Sequence, residues 1–232
     1  MEQKNTKKRG AVTQAIKIII QRLIGFALFI AAAGTIIDIR GNIFFIVYFA
    51  SSVIAVVVLL NGNQDVLNAR EQKQENAKVW DKILVLILVL LSFFGIYLVA
   101  GFGARFAWAR LSDIWLYIGY VFLVPSYIFT LWPMMVNRHL EGYVRIQNDR
   151  EHKVISSGPY SIVRHPTYLG SITGIIAIAL IFGTIPIAIT AAIIIAIVIT
   201  RTHFEDTTLK KELDGYLAYS DKVKYRLFPL LW

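Results

Sequence analysis

The stretch Thr167–Thr200, TYLGSITGIIAIALIFGTIPIAITAAIIIAIVIT, carries no charged residue. As a single α-helix it would run roughly 50 Å at ~1.5 Å per residue, far more than a hydrocarbon core of ~30 Å. It must therefore break, and Gly183-Thr184-Ile185-Pro186 supplies the turn residues. The stretch reads as a membrane hairpin of two short helices. Because such runs are continuous rather than alternating, they exclude a transmembrane barrel. They predict an all-α polytopic membrane protein.

Working outward, four more apolar runs precede the hairpin, the three nearest it uncharged. Ile114–Val136 contains Pro125 and Pro133, which are expected to kink it. Ile83–Phe102 and Ile43–Leu60 are uninterrupted, and the first run extends from about Ile16 to Ile37. No small-residue cleavage site follows that first run, so it is read as a retained span rather than a signal peptide. Lys17 and Arg22 are expected to snorkel near its start. The count is about six transmembrane helices. Residues 1–10 are polar and basic, with the composition of a mobile tail.

The mixed-charge segment 61–82 is predicted to be a solvated connector. In it Glu71 and Glu75 would pair with neighbouring cations, while Val66, Leu67, Val79 and Trp80 rest on the membrane surface. No part in a functional site is expected of Arg70–Lys78. Past the hairpin, Arg201–Trp232 reads as helical to about Asp221, interrupted at Gly215, with Leu227–Trp232 dipping into the interface. Three parts result: 1–60, a basic tail and hairpin; 61–136, the connector and two spans; and 137–232, which holds the polar motifs and the last hairpin.

The whole composition agrees. Of 232 residues, 56% are hydrophobic and 17% charged, too apolar for an ordinary soluble domain. Cysteine is absent, which removes disulfides, thiolate metal sites and cysteine nucleophiles. A net charge of +9 would suit nucleic acid in a soluble protein. In a membrane protein it reflects topology and anionic lipid, so no nucleic-acid partner is expected. With the N-terminus inside, six spans put 21 of the 24 Lys and Arg on the inner side, leaving Arg40, Arg105 and Arg110 outside. That bias places the polar block 137–166 and the C-terminal tail on the cytoplasmic face, in a cell-membrane setting.

The chemistry concentrates just before the hairpin, in Gly158–Gly170, GPYSIVRHPTYLG. Read plainly, it is a juxtamembrane anchor of Arg, His and Tyr at the headgroups. Because the hairpin returns the chain to the same side, Gln147–Tyr168 and Arg201–Glu205 can be neighbours. Arg201 and Glu205, four residues apart, are either a simple helical ion pair or parts of a site. His139, His152, His165 and His203 lack the spacing of a zinc helix, so no metal site is predicted.

The run Val144–Gly170, VRIQNDREHKVISSGPYSIVRHPTYLG, is similar to the signature of the isoprenylcysteine carboxyl methyltransferase family of membrane enzymes. Arg201-Thr202-x-x-Glu205-Asp206, Leu213-x-Gly215-Tyr216-x-x-Tyr219 and Arg226-Leu227-x-Pro229 resemble that family's C-terminal end in order and spacing. Phospholipid N-methyltransferases are looser kin that share the RHPxYxG and Glu-Glu elements; membrane sterol reductases carry a similar RHPxYxG. The resemblance covers roughly 137–232, touches Trp80-Asp81-Lys82 faintly and leaves the first two spans unmatched.

The resemblance implies methyl transfer from S-adenosylmethionine to a lipid-borne acceptor, in a cofactor pocket at the cytoplasmic membrane face. Matched motif by motif, Gln147, His152, Lys153, Val154, Ile155, Tyr160, His165, Pro166, Thr167 and Tyr168 would line that pocket. Glu205 would contact the cofactor and Arg201 would be catalytic, facing the acceptor. The family's acidic pair is Glu-Glu, whereas here Asp206 stands second, which puts a role for Asp206 in doubt. The expected partners are a lipophilic or prenylated substrate and membrane lipid. A phospholipid N-methyltransferase, a nicotinamide-dependent membrane reductase and a non-catalytic lipid-binding protein are the alternatives.

The cofactor's groups suit these residues. Glu205 can accept from its ammonium in a charge-assisted hydrogen bond, and the tyrosine faces can meet its sulfonium.

Overall fold

The computed structural model describes residues 2–36, 38–71 and 76–232, all helix, turn or loop. In order come α1 (Glu2–Ala33), α2 (Ile39–Gly62), α3 (Gln64–Glu71), α4 (Val79–Leu90), α5 (Ile96–Arg105), α6 (Asp113–Val136), α7 (Pro166–Phe182), α8 (Ile185–Glu212) and α9 (Tyr216–Lys222). Among the described residues, five helical segments are long and apolar enough to cross a bilayer: Gly10–Ala33, Ile39–Gly62, Val79–Arg105, Asp113–Val136 and Ile185–Glu212. The architecture is all-α and polytopic.

The last hairpin is unequal, a correction to two short helices. α7 has 17 residues, about 25 Å of helix, whereas α8 has 28 and continues past its apolar part. α7 still reaches the far end of the bundle. There Leu111 N–H donates to Gly183 O at 2.8 Å, and Arg40 Nη1 approaches Ile181 O at 3.4 Å. α7 manages this because it starts below the motif-end surface, at the buried His165-Pro166 step. Pro166 suits its first turn, and Gly183 ends it at φ +64° in the left-handed region.

That far end gathers the three arginines counted as outside. Arg110 pairs with Asp38 at 3.0 Å, Arg40 pairs with Asp113, and Arg105 lies against Gly34. Between the two ends, rings of Phe29, Phe44, Phe45, Tyr97 and Phe182 interlock α1, α2, α5 and α7.

Three expectations change. α1 is helical from Glu2, where a mobile tail is expected, and its N-terminal part packs on α3. Val66 and Leu67 of α3 are fully buried against Ala11, Leu59 and Met134 rather than resting on a membrane surface. The connector is amphipathic, and its apolar face finds protein before lipid. The pairing expected of Glu71 and Glu75 falls outside the described side chains, as does Ile37. Finally, the third span is not regular: a π-helical turn, Leu91–Gly95, separates α4 from α5. Such turns re-aim side chains within a helix and recur at functional sites. Pro125 and Pro133 lie inside a continuous α6.

Candidate active site

The segment 137–165 has little regular structure, and its polar side chains hold its shape. Gln147 Nε2 donates to His139 O at 2.6 Å, and Arg150 Nη1 donates to Gln147 Oε1 at 3.2 Å. Arg145 bridges Glu141 at 2.7 Å and Asp149 at 2.7 Å. Those two carboxylates raise the Arg145 pKa, and the Arg145 hydrogen bond lowers that of Asp149. Asn137 Nδ2 donates to the Tyr160 hydroxyl at 3.0 Å; burial pushes that phenol up to about 12.

The C-terminal segment closes over this loop. Arg164 N–H and His165 N–H donate to Tyr225 O and Arg226 O, both at 2.9 Å. Asp206 sits at the centre, fully buried, and accepts from Arg164 Nε at 2.7 Å, Arg226 Nε at 2.9 Å and the Tyr216 hydroxyl at 3.1 Å. His165 Nε2 lies 3.4 Å from the same carboxylate. Asp206, doubtful from its shortened side chain, ties α8 to the RHP loop and to the tail. The tail itself is split: Leu227 is buried, while Leu230 and Leu231 are exposed.

These elements enclose a cavity of about 530 Å³, within the usual range for small-molecule sites. Gln147, His152, Lys153, Val154, Ile155, Tyr160, His165, Pro166, Thr167, Tyr168, Arg201 and Glu205 all line it. Tyr168 connects several of these groups. Its hydroxyl donates to Glu205, its ring stacks on His165 at 5.8 Å, and Arg201 Cζ lies 5.2 Å from its centroid.

Arg201 and Glu205 are not paired with each other. Arg201 is instead held by Asp81 of α4, from Nε at 2.6 Å and Nη2 at 3.0 Å, and Nη2 also donates to Gly142 O at 2.8 Å. Asp81 is fully buried and accepts from Val144 N–H as well, at 2.7 Å. The faint likeness at Trp80-Asp81-Lys82 thus coincides with a structural contact, while the connector's other end supplies Arg70 to the cavity wall. Burial and the nearby Arg201 lower the Arg70 pKa. An exposed, solvated Arg70 is therefore not what forms.

Four polar atoms on the cavity wall are buried without a hydrogen-bond partner: His152 Nδ1, Thr167 Oγ1, Arg70 Nε and Arg22 Nε. Buried polar groups are normally satisfied, so unpaired ones around one cavity point to a polar ligand. Burial, with His139 beside it at 4.9 Å between ring centroids, holds the His152 pKa down at about 4. Among the described residues no group of three His, Asp or Glu is placed to hold a metal ion.

Sequence reasoning missed Arg22, Arg70 and Asp81. The signal available for Arg22 was its depth: a cation twelve residues into the span that starts at Gly10 is a site candidate by default. It does not snorkel to the surface but lies over the rings of Tyr48 and Phe93.

A comparison with curated proteins gives no match. Residues 114–214, from α6 through α8, match the model of the phospholipid methyltransferase family, which includes the isoprenylcysteine carboxyl methyltransferases, and this match is consistent with the resemblance read from the RHPTYLG and Arg-x-x-x-Glu motifs.

Proposed function

We propose that the protein transfers a methyl group from S-adenosylmethionine to a lipophilic acceptor, an isoprenylcysteine-like or similar lipid carboxylate. One observation carries the reading: two motifs far apart in the chain meet at Tyr168–Glu205, on the wall of one cavity whose lining also includes apolar residues of the membrane helices.

The residues present fit the cofactor. Glu205, oriented by the Tyr168 hydroxyl, offers a carboxylate to the ammonium. Arg70 Nε, without a partner, offers a cation to the methionine carboxylate, and His152 Nδ1 and Thr167 Oγ1 offer further polar contacts. When bound, S-adenosylmethionine supplies the methyl on a cationic sulfur that departs neutral. The protein's part is then positioning, which accounts for much of the rate in such reactions. Asp81 fixes Arg201 through Nε and Nη2, leaving Nη1 to orient an acceptor carboxylate. Val198 and Ile194 of α8 line the apolar part, where a lipid chain would lie and exclude water.

The test is binding of radiolabelled S-adenosylmethionine to the purified protein in detergent, followed by turnover with a lipid-extract acceptor. Glu205→Gln is expected to weaken cofactor binding roughly 10- to 150-fold, from a lost charge-assisted hydrogen bond of about 1.5–3 kcal/mol. Arg201→Lys keeps the charge but loses the planar fork, so kcat should fall with cofactor affinity nearly intact. Equal effects on affinity with unchanged turnover would overturn these roles. Binding of a nicotinamide nucleotide in place of S-adenosylmethionine would favour the reductase reading.

A further inference from the structure

The cavity does not end at the cofactor residues. It continues between α1, α2 and the π-helical turn to Arg22, Tyr48, Ser92 and Phe93. None of these lies in the segment 114–214 that matches the family. Arg22 Nη1 donates to the Tyr48 hydroxyl, and its Cζ is 4.4 Å from the Tyr48 centroid and 4.8 Å from that of Phe93. Its Nε is buried with no hydrogen-bond partner.

The groups that contact Arg22 are thus neutral. A guanidinium stays charged under all ordinary conditions and carries five donor hydrogens. At mid-span depth, rings and one hydroxyl compensate only part of that charge, whereas an anion would compensate it fully and use the idle Nε–H. The π-helical turn reinforces the point, because it brings Phe93 and Ser92 to the cavity wall beside Arg22.

We propose that this inner end is a subsite for a second, anionic group of the acceptor lipid, a carboxylate held by Arg22 and Tyr48. The span that starts at Val79 gives the length. Asp81 marks the Arg201 end and Phe93 the Arg22 end, so the positions of the span that meet the two cations lie about 18 Å apart along it at ~1.5 Å per residue. The acceptor class is therefore a long single chain with a polar group at each end, not a simple hydrocarbon tail. The proposal rests on the methyl-transfer reading only in taking the Arg201 end as the reacting one.

Ligand-induced thermal stabilisation of the purified full chain in detergent tests it, with hexadecanedioic acid, its monomethyl ester and hexadecanoic acid as probes. The diacid is expected to bind about tenfold tighter than either single acid, with Arg22→Met removing the preference and Arg22→Lys retaining part of it. Equal binding of the three probes by the unaltered protein would overturn the subsite, as would a preference that survives Arg22→Met. Should Arg22→Met not fold, Tyr48→Phe takes its place, with a reduced preference expected and an unchanged one counting against the subsite. Cofactor binding is measured on the same preparations without lipid. Its absence would reject the methyl-transfer reading, while the probe comparison would still decide the anion subsite.

Discussion

Arg201 Nε and Asp81 Oδ1 are 2.6 Å apart, joining the middle of α8 to the first turn of α4 across 120 positions of sequence. The pair is buried, with Asp81 fully enclosed and also bound to Val144 N–H. It anchors three separate pieces at one point: the connector's end, the loop at 142–144 and the helix bearing Glu205. It also explains why Arg201 and Glu205, one helical turn apart, do not pair. Asp81 accepts from two donors of the guanidinium, Nε and Nη2, and the Tyr168 hydroxyl donates to the Glu205 carboxylate.

Removing either side of this pair should be costly, because the other charge is left buried. Asp81→Ala is expected to destabilise the protein by about 3–5 kcal/mol. Asp81→Ala combined with Arg201→Met should recover part of the loss, since the uncompensated cation is gone. Thermal unfolding in detergent measures both. Additive losses in the double variant would mean that the two residues act independently.

Arg70 is expected to serve the cofactor although it lies outside the matched segment. Arg70→Met should weaken S-adenosylmethionine binding about 10- to 150-fold, by loss of a hydrogen bond to a charged group. The exposed Lys222, at the far end of α9, serves as the comparison: Lys222→Met should leave binding unchanged. Titration of radiolabelled cofactor distinguishes them, and equal affinities for the two variants would remove Arg70 from the site.

His152 gives the stability a definite pH window. In the unfolded chain a histidine takes up its proton near pH 6.5. In the folded protein burial, then His139, hold protonation down to about pH 4. Between those values the unfolded state binds more protons, so stability falls as pH drops from about 6.5 to about 4 and His152 adds no further loss below that. His152→Gln should flatten this part of the profile. Unfolding temperatures across that range, with the same slope for both proteins, would show that His152 carries none of it.

The pH dependence of turnover separates the two acceptor classes. A carboxylate acceptor is ionised above its pKa of ~4, so kcat should be flat from about pH 6 to 8. An amine must first lose a proton and would give a rate rising with pH. A rising profile would move the assignment from carboxyl to phospholipid amine methylation.

The sequence by itself determined the class of the molecule. Long uncharged runs can exist only as membrane helices, and a break in Thr167–Thr200 follows from bilayer thickness alone. Through the family resemblance it also singled out residues of Gln147–Tyr168 and Arg201–Glu205 that line one cavity, because these are local motifs legible in one dimension. Tertiary structure decided which polar groups pair and how far the cavity extends. Asp81, Arg70 and Arg22 sit in segments that read as connector or lipid-facing helix, since hydropathy reports how apolar a segment is and not which way one side chain turns. Asp206 looked like a weakened second acid, yet its shorter side chain is what Arg164, Arg226 and Tyr216 enclose. Partner choice among buried charges depends on distance and desolvation, and both arise only once the helices have packed.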